Sequence, residues 1–160
     1  MGLLIRLALW LIAVALGLTA CSSPPKAADP PASFPDLSAF TAVDSKDTSF
    51  RTSEGVYCDL DFGPRQTIIC KGRIRAPLGA GFGKGCPYVE KPGDSPDTPY
   101  QFFMSGPGGC ANDRLLHLVA GQKMVGKNGT CAVGDGELIA CIDADHEHGF
   151  VLQLSGGWSF

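Results

Sequence analysis

The chain has 160 residues, of which 44% are hydrophobic and 18% are charged, and its formal net charge at pH 7 is −3. This length is sufficient for one domain. No cluster of lysine and arginine residues is present that could neutralise a row of phosphates, so the composition argues against nucleic-acid binding.

The first 20 residues have the layout of a secretory signal. A single basic residue, Arg6, precedes the apolar run Leu7–Leu18, and small residues follow that run. The run is shorter than the roughly 20 apolar residues that a membrane-spanning helix needs. A basic start, an apolar stretch and a small-residue end are typical of a signal peptide, which we predict at residues 1–20.

This signal ends at a cysteine. The segment LTAC, which ends at Cys21, resembles the bacterial lipobox, in which the cysteine is acylated and becomes the first residue of the mature protein. The alternative is an ordinary secreted protein with a cysteine at this position by chance. Several acyl chains anchor a protein stably, because each buried CH₂ group contributes about 0.8 kcal/mol. We predict a lipid on Cys21 that holds the protein on the extracytoplasmic face of the cell membrane.

A linker follows the predicted anchor. Residues 21–39 are rich in proline, alanine and serine and show no apolar periodicity, which is typical of an extended tether. We expect this tether to separate the membrane from a single all-β domain at residues 40–160.

The remaining sequence favours short β-strands. Segments enriched in β-branched and aromatic residues are separated by glycine, proline and Asn-Gly turn signals. This pattern predicts a mainly β domain, a small sandwich or a barrel-like fold. The alternative is an α+β domain with one short helix near Ala111–Leu116. The predicted strands are Val56–Asp61, Thr67–Lys71, Tyr100–Met104, Leu115–Val119, Leu138–Ile142 and Phe150–Leu154.

Six of the seven cysteines remain after Cys21 is assigned to a lipid. The chain has no CxxC motif, and the wide spacings in a small exported domain favour disulfide bonds over a zinc site or a thioredoxin-like redox site. The spacing alone allows other pairings. Predicted hairpins around the turns FGP and GDG each bring two cysteines together, and elimination joins the other two. The predicted disulfides are Cys58–Cys70, Cys86–Cys110 and Cys131–Cys141.

The order of the cysteines and the C-terminal segment form a further pattern. Ser53 and Gly55 precede Cys58, and Cys141 is followed by the segment EHGFVLQLSGGWSF. Over residues 50–160 this pattern resembles that of small cysteine-rich secreted proteins and lipoproteins of actinobacteria, mycobacteria included, which carry a GHGF motif near the C-terminus. The chain departs from that motif in having Glu147 at its first glycine. The resemblance implies the fold and an exported location, and it implies no catalytic activity.

The segment DADHEHGF, residues 143–150, is the densest run of potential metal ligands. On a strand, His146 and His148 would share one face, and a carboxylate or His117 could complete a zinc or copper shell. No third ligand lies at a suitable spacing, so we interpret His148 as a structural residue at a turn, within a solvated acidic loop. A third interpretation is the lip of a ligand-binding site.

Motifs of known catalytic sites are absent from the sequence, which has no GxSxG elbow, P-loop or HExxH segment. A hydrolytic triad of Ser105, His117 and Asp113 is conceivable, but Asp113 and His117 would need a helix to share a face. We expect the aromatic residues Phe102 and Trp158 to serve packing rather than carbohydrate binding.

These patterns together predict a non-enzymatic, lipid-anchored module of the cell envelope that needs no metal or cofactor. Its partners would be the membrane, through Cys21, and an unknown envelope protein or small ligand. The alternatives are a metal-binding envelope protein that uses His146 and His148, and a small hydrolase built around Ser105 and His117.

Overall fold

A computed structural model describes residues 30–74, 85–93, 97–106, 110 and 115–160. The predicted signal peptide, Cys21 and Asp113 lie outside the described residues, as does most of the possible helix near Ala111–Leu116. Within the described part of the chain, no helix is long and apolar enough to cross a membrane.

Strands are the main secondary structure of the described residues, and they form two six-stranded sheets. The first sheet has the order β6-β5-β4-β3-β2-β7 and the second has the order β1-β8-β9-β10-β11-β12. The strands are β1 (Thr41–Ala42), β2 (Ser49–Arg51), β3 (Val56–Phe62), β4 (Thr67–Gly72), β5 (Pro87–Glu90), β6 (Gln101–Met104), β7 (Leu116–His117), β8 (Gln122–Val125), β9 (Gly129–Val133), β10 (Ile139–Asp143), β11 (Gly149–Gln153) and β12 (Gly156–Ser159).

The two sheets repeat one topology. Strands β2 to β6 form an antiparallel meander, and β7 joins it in parallel beside β2. Strands β8 to β12 form a second antiparallel meander, and β1 joins it in parallel beside β8. Since β1 precedes the first meander in the chain and β7 precedes the second, each half of the chain contributes its short first strand to the sheet of the other half.

The repetition extends to the residues that face the core. In each sheet a buried row of four residues crosses four neighbouring strands, and a disulfide bond joins its two central members. The two rows are Phe50–Cys58–Cys70–Val89 and Met124–Cys131–Cys141–Phe150.

These two disulfides face each other between the sheets. The Sγ atoms of Cys70 and Cys141 are 3.9 Å apart. The Cα atoms of each bonded pair are 4.1 Å apart, close to the spacing of about 4.5 Å between directly opposite residues at non-hydrogen-bonded positions of an antiparallel pair. Side chains from both sheets, including Leu60, Ile68 and Ile139, surround the disulfides in one core cluster. The predicted sandwich is therefore confirmed.

A third disulfide, Cys86–Cys110, ties the start of β5 to the segment that follows β6. The structure thus joins the same three pairs that the sequence predicts. Each of the six predicted strands also corresponds to an observed strand. The sequence predicts β9 only as the first arm of the hairpin around the GDG turn, and it missed β1, β2, β5, β8 and β12.

The segment before β1 lies against the second sheet. A short 3-10 helix at Leu37–Ala39 begins after Asp36, whose carboxylate accepts a hydrogen bond from the Ser38 backbone N–H at 2.9 Å. Lys123 Nζ on β8 donates to the Leu37 carbonyl oxygen at 2.7 Å, and Phe34 packs edge-on against Phe160. Residues 30–39, which the sequence assigns to the tether, therefore contact the domain.

Removal of the Cys131–Cys141 disulfide tests whether these bonds act mainly through core packing. The chain-entropy model predicts a larger loss from Cys86–Cys110, because its residues are 24 apart in the chain rather than 10. Since Cys131 and Cys141 are fully buried, we expect the opposite order. Cys131→Ala/Cys141→Ala should lower the free energy of unfolding by about 4 kcal/mol, because it adds a cavity to the lost crosslink.

Urea denaturation under non-reducing conditions measures both losses, with Cys86→Ala/Cys110→Ala as the comparison variant. A larger loss for the comparison variant would contradict the central role of the facing disulfides.

Candidate functional site

The histidine-rich segment forms the turn between β10 and β11. Asp143 ends β10, Gly149 begins β11, and His146 adopts a left-handed backbone conformation with φ of 66°. His146 lines a cleft beside the N-terminal segment, whereas His148 Nδ1 lies 3.4 Å from Lys91 Nζ. The shared strand face considered for a metal site does not form.

Potential metal ligands do converge at one other place. Among the described residues, the one group of three whose donor atoms all lie within 4.8 Å of one another is Cys58, Cys70 and Cys141. All three sulfurs are in disulfide bonds. They are therefore not thiolate ligands.

His148 belongs to a buried polar cluster with Lys91, Tyr100 and Asp143. Lys91 Nζ lies 2.5 Å from Asp143 Oδ2, and the Tyr100 hydroxyl donates to Asp143 Oδ1. Lys91 Nζ also lies 5.5 Å from the centre of the Tyr100 ring. Lys91, Tyr100 and Asp143 are each less than 9% exposed. Their polar groups are therefore stabilised by one another rather than by water.

This buried polar cluster joins the two sheets at one end of the sandwich. Lys91 follows β5 and Tyr100 precedes β6, while Asp143 and His148 flank the β10–β11 turn. Burial raises the pKa of Tyr100 well above its ordinary value, and the Asp143 carboxylate acts in the same direction. Tyr100 therefore remains a neutral hydrogen-bond donor. Within the described part of the chain, Asp143 Oδ2 accepts no hydrogen bond but forms the ion pair with Lys91, while Oδ1 accepts from Tyr100. Because its two charges are paired, the cluster is best explained as a structural connection between the sheets.

A cleft with a volume of about 560 Å³ lies at the opposite end of the first sheet. We call it the basic cleft. Among the described residues that line it, three are basic and one is acidic. They are Arg51, Arg73, His117 and Glu54, and Tyr57 forms part of the wall.

Strand register places these side chains together. Arg51 on β2 lies opposite Tyr57 on β3, and His117 on β7 lies beside Arg51. Since their neighbours Phe50 and Cys58 face the core, alternation along the strands puts Arg51, Tyr57 and His117 on the outer face of the first sheet.

A close backbone contact brings Arg73 to the same place. Gly72 at the end of β4 has φ of 135°, and a Cβ atom there would lie 2.3 Å from the Gly55 carbonyl oxygen. Glycine is therefore required at position 72. It lets the end of β4, and with it Arg73, approach the turn that carries Glu54.

Among its described lining residues, the basic cleft has more positive than negative side chains. Arg51 Nε is buried and has no hydrogen-bond partner within the described part of the chain. A hydrogen bond from the Ser53 hydroxyl holds the pKa of Glu54 below its usual value, and His117 contributes in the same direction. The cleft can therefore offer guanidinium N–H groups to an anion.

The residues considered for a hydrolase do not converge. Ser105 Oγ donates to the Cys86 carbonyl oxygen at 3.0 Å, and His117 lines the basic cleft. Among the described residues no hydrogen bond links Ser105 to His117, and Asp113 lies outside them. The aromatic side chains mainly contact each other, as Tyr88 and Phe103 do with ring centres 5.3 Å apart.

Sequence analysis missed Arg51 and Arg73 in the basic cleft, and Lys91 and Tyr100 in the buried polar cluster. Each is a single polar or aromatic residue whose partners are distant in the chain, so no local motif marks it. No family model, curated protein or solved structure matches the chain. We therefore infer function from the geometry of the clefts.

Loss of Lys91 should strongly destabilise the protein. Lys91→Met leaves the Asp143 carboxylate buried without its cation, so we expect the free energy of unfolding to fall by about 3–5 kcal/mol. Lys91→Met/Asp143→Asn should recover part of this loss, because the unpaired charge is gone. Lys127→Met, which removes an exposed cation near the same end, should change stability by less than about 0.5 kcal/mol.

Urea denaturation of the four proteins gives these values. A double variant that is no more stable than Lys91→Met would contradict the buried ion pair.

Proposed function

We propose that this chain is an exported lipoprotein whose β sandwich binds or presents a ligand on the extracytoplasmic face of the cell membrane, without catalysing a reaction. The observation that carries this proposal is the pairing of all six domain cysteines in disulfide bonds. Disulfides form and persist in oxidising compartments outside the cytoplasm. Their pairing leaves Cys21 as the one cysteine free for acylation.

The contact between the N-terminal segment and the second sheet supports a location close to the membrane. Residues 30–39 lie against the domain through Phe34 and Leu37. Only residues 22–29 then remain between the predicted anchor and the first described residue, Pro30. Fully extended, at about 3.5 Å per residue, they would span on the order of 30 Å.

The basic cleft supports a binding function. Its volume of about 560 Å³ lies within the range of roughly 300–1,000 Å³ that is usual for small-molecule sites. Ser105 Oγ donates to the Cys86 carbonyl oxygen rather than to His117, which lines the basic cleft, so this geometry gives no support to the alternative of a hydrolase. The proposed partners are the membrane, through the lipid on Cys21, and a small ligand or envelope protein.

Replacement of Cys21 tests the anchor. Cells that express the full chain are grown with radiolabelled palmitate and then fractionated. The wild-type protein should carry the label, sediment with membranes and be released by detergent but not by high salt. Cys21→Ala should carry no label, because the thiol that forms the thioether is absent.

Ser22→Ala is the matched control, since it changes the neighbouring residue and leaves the thiol in place. It should behave as the wild type does. Label in Cys21→Ala, or an unlabelled wild-type protein in the soluble fraction, would refute lipid anchoring.

A further inference from the structure

The most informative atom in the basic cleft is Arg51 Nε, which is buried and has no hydrogen-bond partner among the residues that the structure describes. More than nine in ten buried polar groups in proteins are paired, and an unpaired one calls for a missing water, ion or ligand. Here the unpaired group belongs to a permanent cation. A negatively charged acceptor in the cleft would balance this charge, and it would meet the guanidinium through the part of the Arg51 side chain that remains exposed.

The neighbours of Arg51 also favour a negatively charged ligand. His117 lies beside it on β7, Arg73 lines the same cleft, and Glu54 is the one carboxylate among the described lining residues. Glu54 already accepts a hydrogen bond from the Ser53 hydroxyl. The cleft therefore keeps a surplus of positive charge for an incoming ligand.

Guanidinium groups match carboxylate and phosphate groups, because two parallel N–H donors fit two oxygens of either anion. The cleft is much larger than a bare inorganic anion, and the ring of Tyr57 supplies an apolar part of its wall. The size and the lining together favour an organic molecule that carries an anionic group.

We propose that the basic cleft binds a small organic anion, a carboxylate or a phosphate ester, with Arg51 as its main partner. Arg73 adds positive charge beside the bound group, and the His117 ring offers a further hydrogen-bonding nitrogen. This inference rests on the ligand-binding part of the proposed function and is independent of the lipid anchor. A chain that is not acylated but binds anions would refute only the anchor.

Titration calorimetry of the full chain in detergent, at low ionic strength, tests the proposal with inorganic phosphate and succinate as separate probes. We expect saturable binding of at least one probe with a stoichiometry of one. Binding of phosphate alone would assign a phosphate ester, and binding of succinate alone would assign a carboxylate. Absence of saturable binding with both probes would overturn the proposal.

Arg51→Gln keeps a polar but shorter, uncharged side chain and should weaken binding roughly tenfold or more, because it removes the charge and the fork of N–H donors. Glu54→Gln should tighten binding, since it removes the competing carboxylate. Arg65→Gln, at the opposite end of the first sheet, is the matched control and should bind as the wild type does.

Circular dichroism establishes that each variant is folded. If Arg51→Gln does not fold, Arg73→Gln takes its place, with weaker binding expected. Equal affinity of the wild type and a folded Arg51→Gln or Arg73→Gln variant would also overturn the proposal.

Discussion

The contact between two disulfide bonds at the centre of the sandwich is the constraint on which the rest of the structure depends. Each bond joins directly opposite residues of neighbouring strands, and Cys70 and Cys141 bring the two bonds to within 3.9 Å of each other. A slip of one residue in either strand pair would turn every side chain to the other face. The bonds therefore fix which residues face the core and, by alternation, that Arg51 and Tyr57 face outward to form the basic cleft.

The exchange of short strands between the halves of the chain connects this core to the candidate site. β7 belongs to the second half of the chain but pairs with β2 of the first. His117 on β7 thus lies beside Arg51 on β2, and the basic cleft needs both halves to form. The same exchange places β1 beside β8. The two meanders therefore cannot separate unless a parallel strand pair is broken.

Local patterns in the sequence predict only some of the strands that carry the core, because strands such as β3 and β4 have enough β-branched and aromatic residues to be recognised, whereas β2, β5 and β8 do not. The FGP and GDG turns likewise predict two disulfides. Short or glycine-rich strands such as β12 have no such pattern, and their pairing with neighbours defines them. The strand geometry considered for His146 and His148 was wrong because β10 ends at Asp143. Lys91 and Tyr100 were missed because their partner Asp143 is distant in the chain.

Peptide mapping of the non-reduced protein, purified from its native membrane with free thiols blocked, tests the central disulfide contact most directly. We expect linked peptides that contain Cys58 with Cys70, Cys131 with Cys141, and Cys86 with Cys110, with none of these six thiols blocked. Since Cys70 and Cys141 lie in contact, a wrong pairing of the strands would show itself as a crosslink between them. That crosslink, or blocked thiols at the four central cysteines, would contradict the structure and the outward placement of the basic cleft.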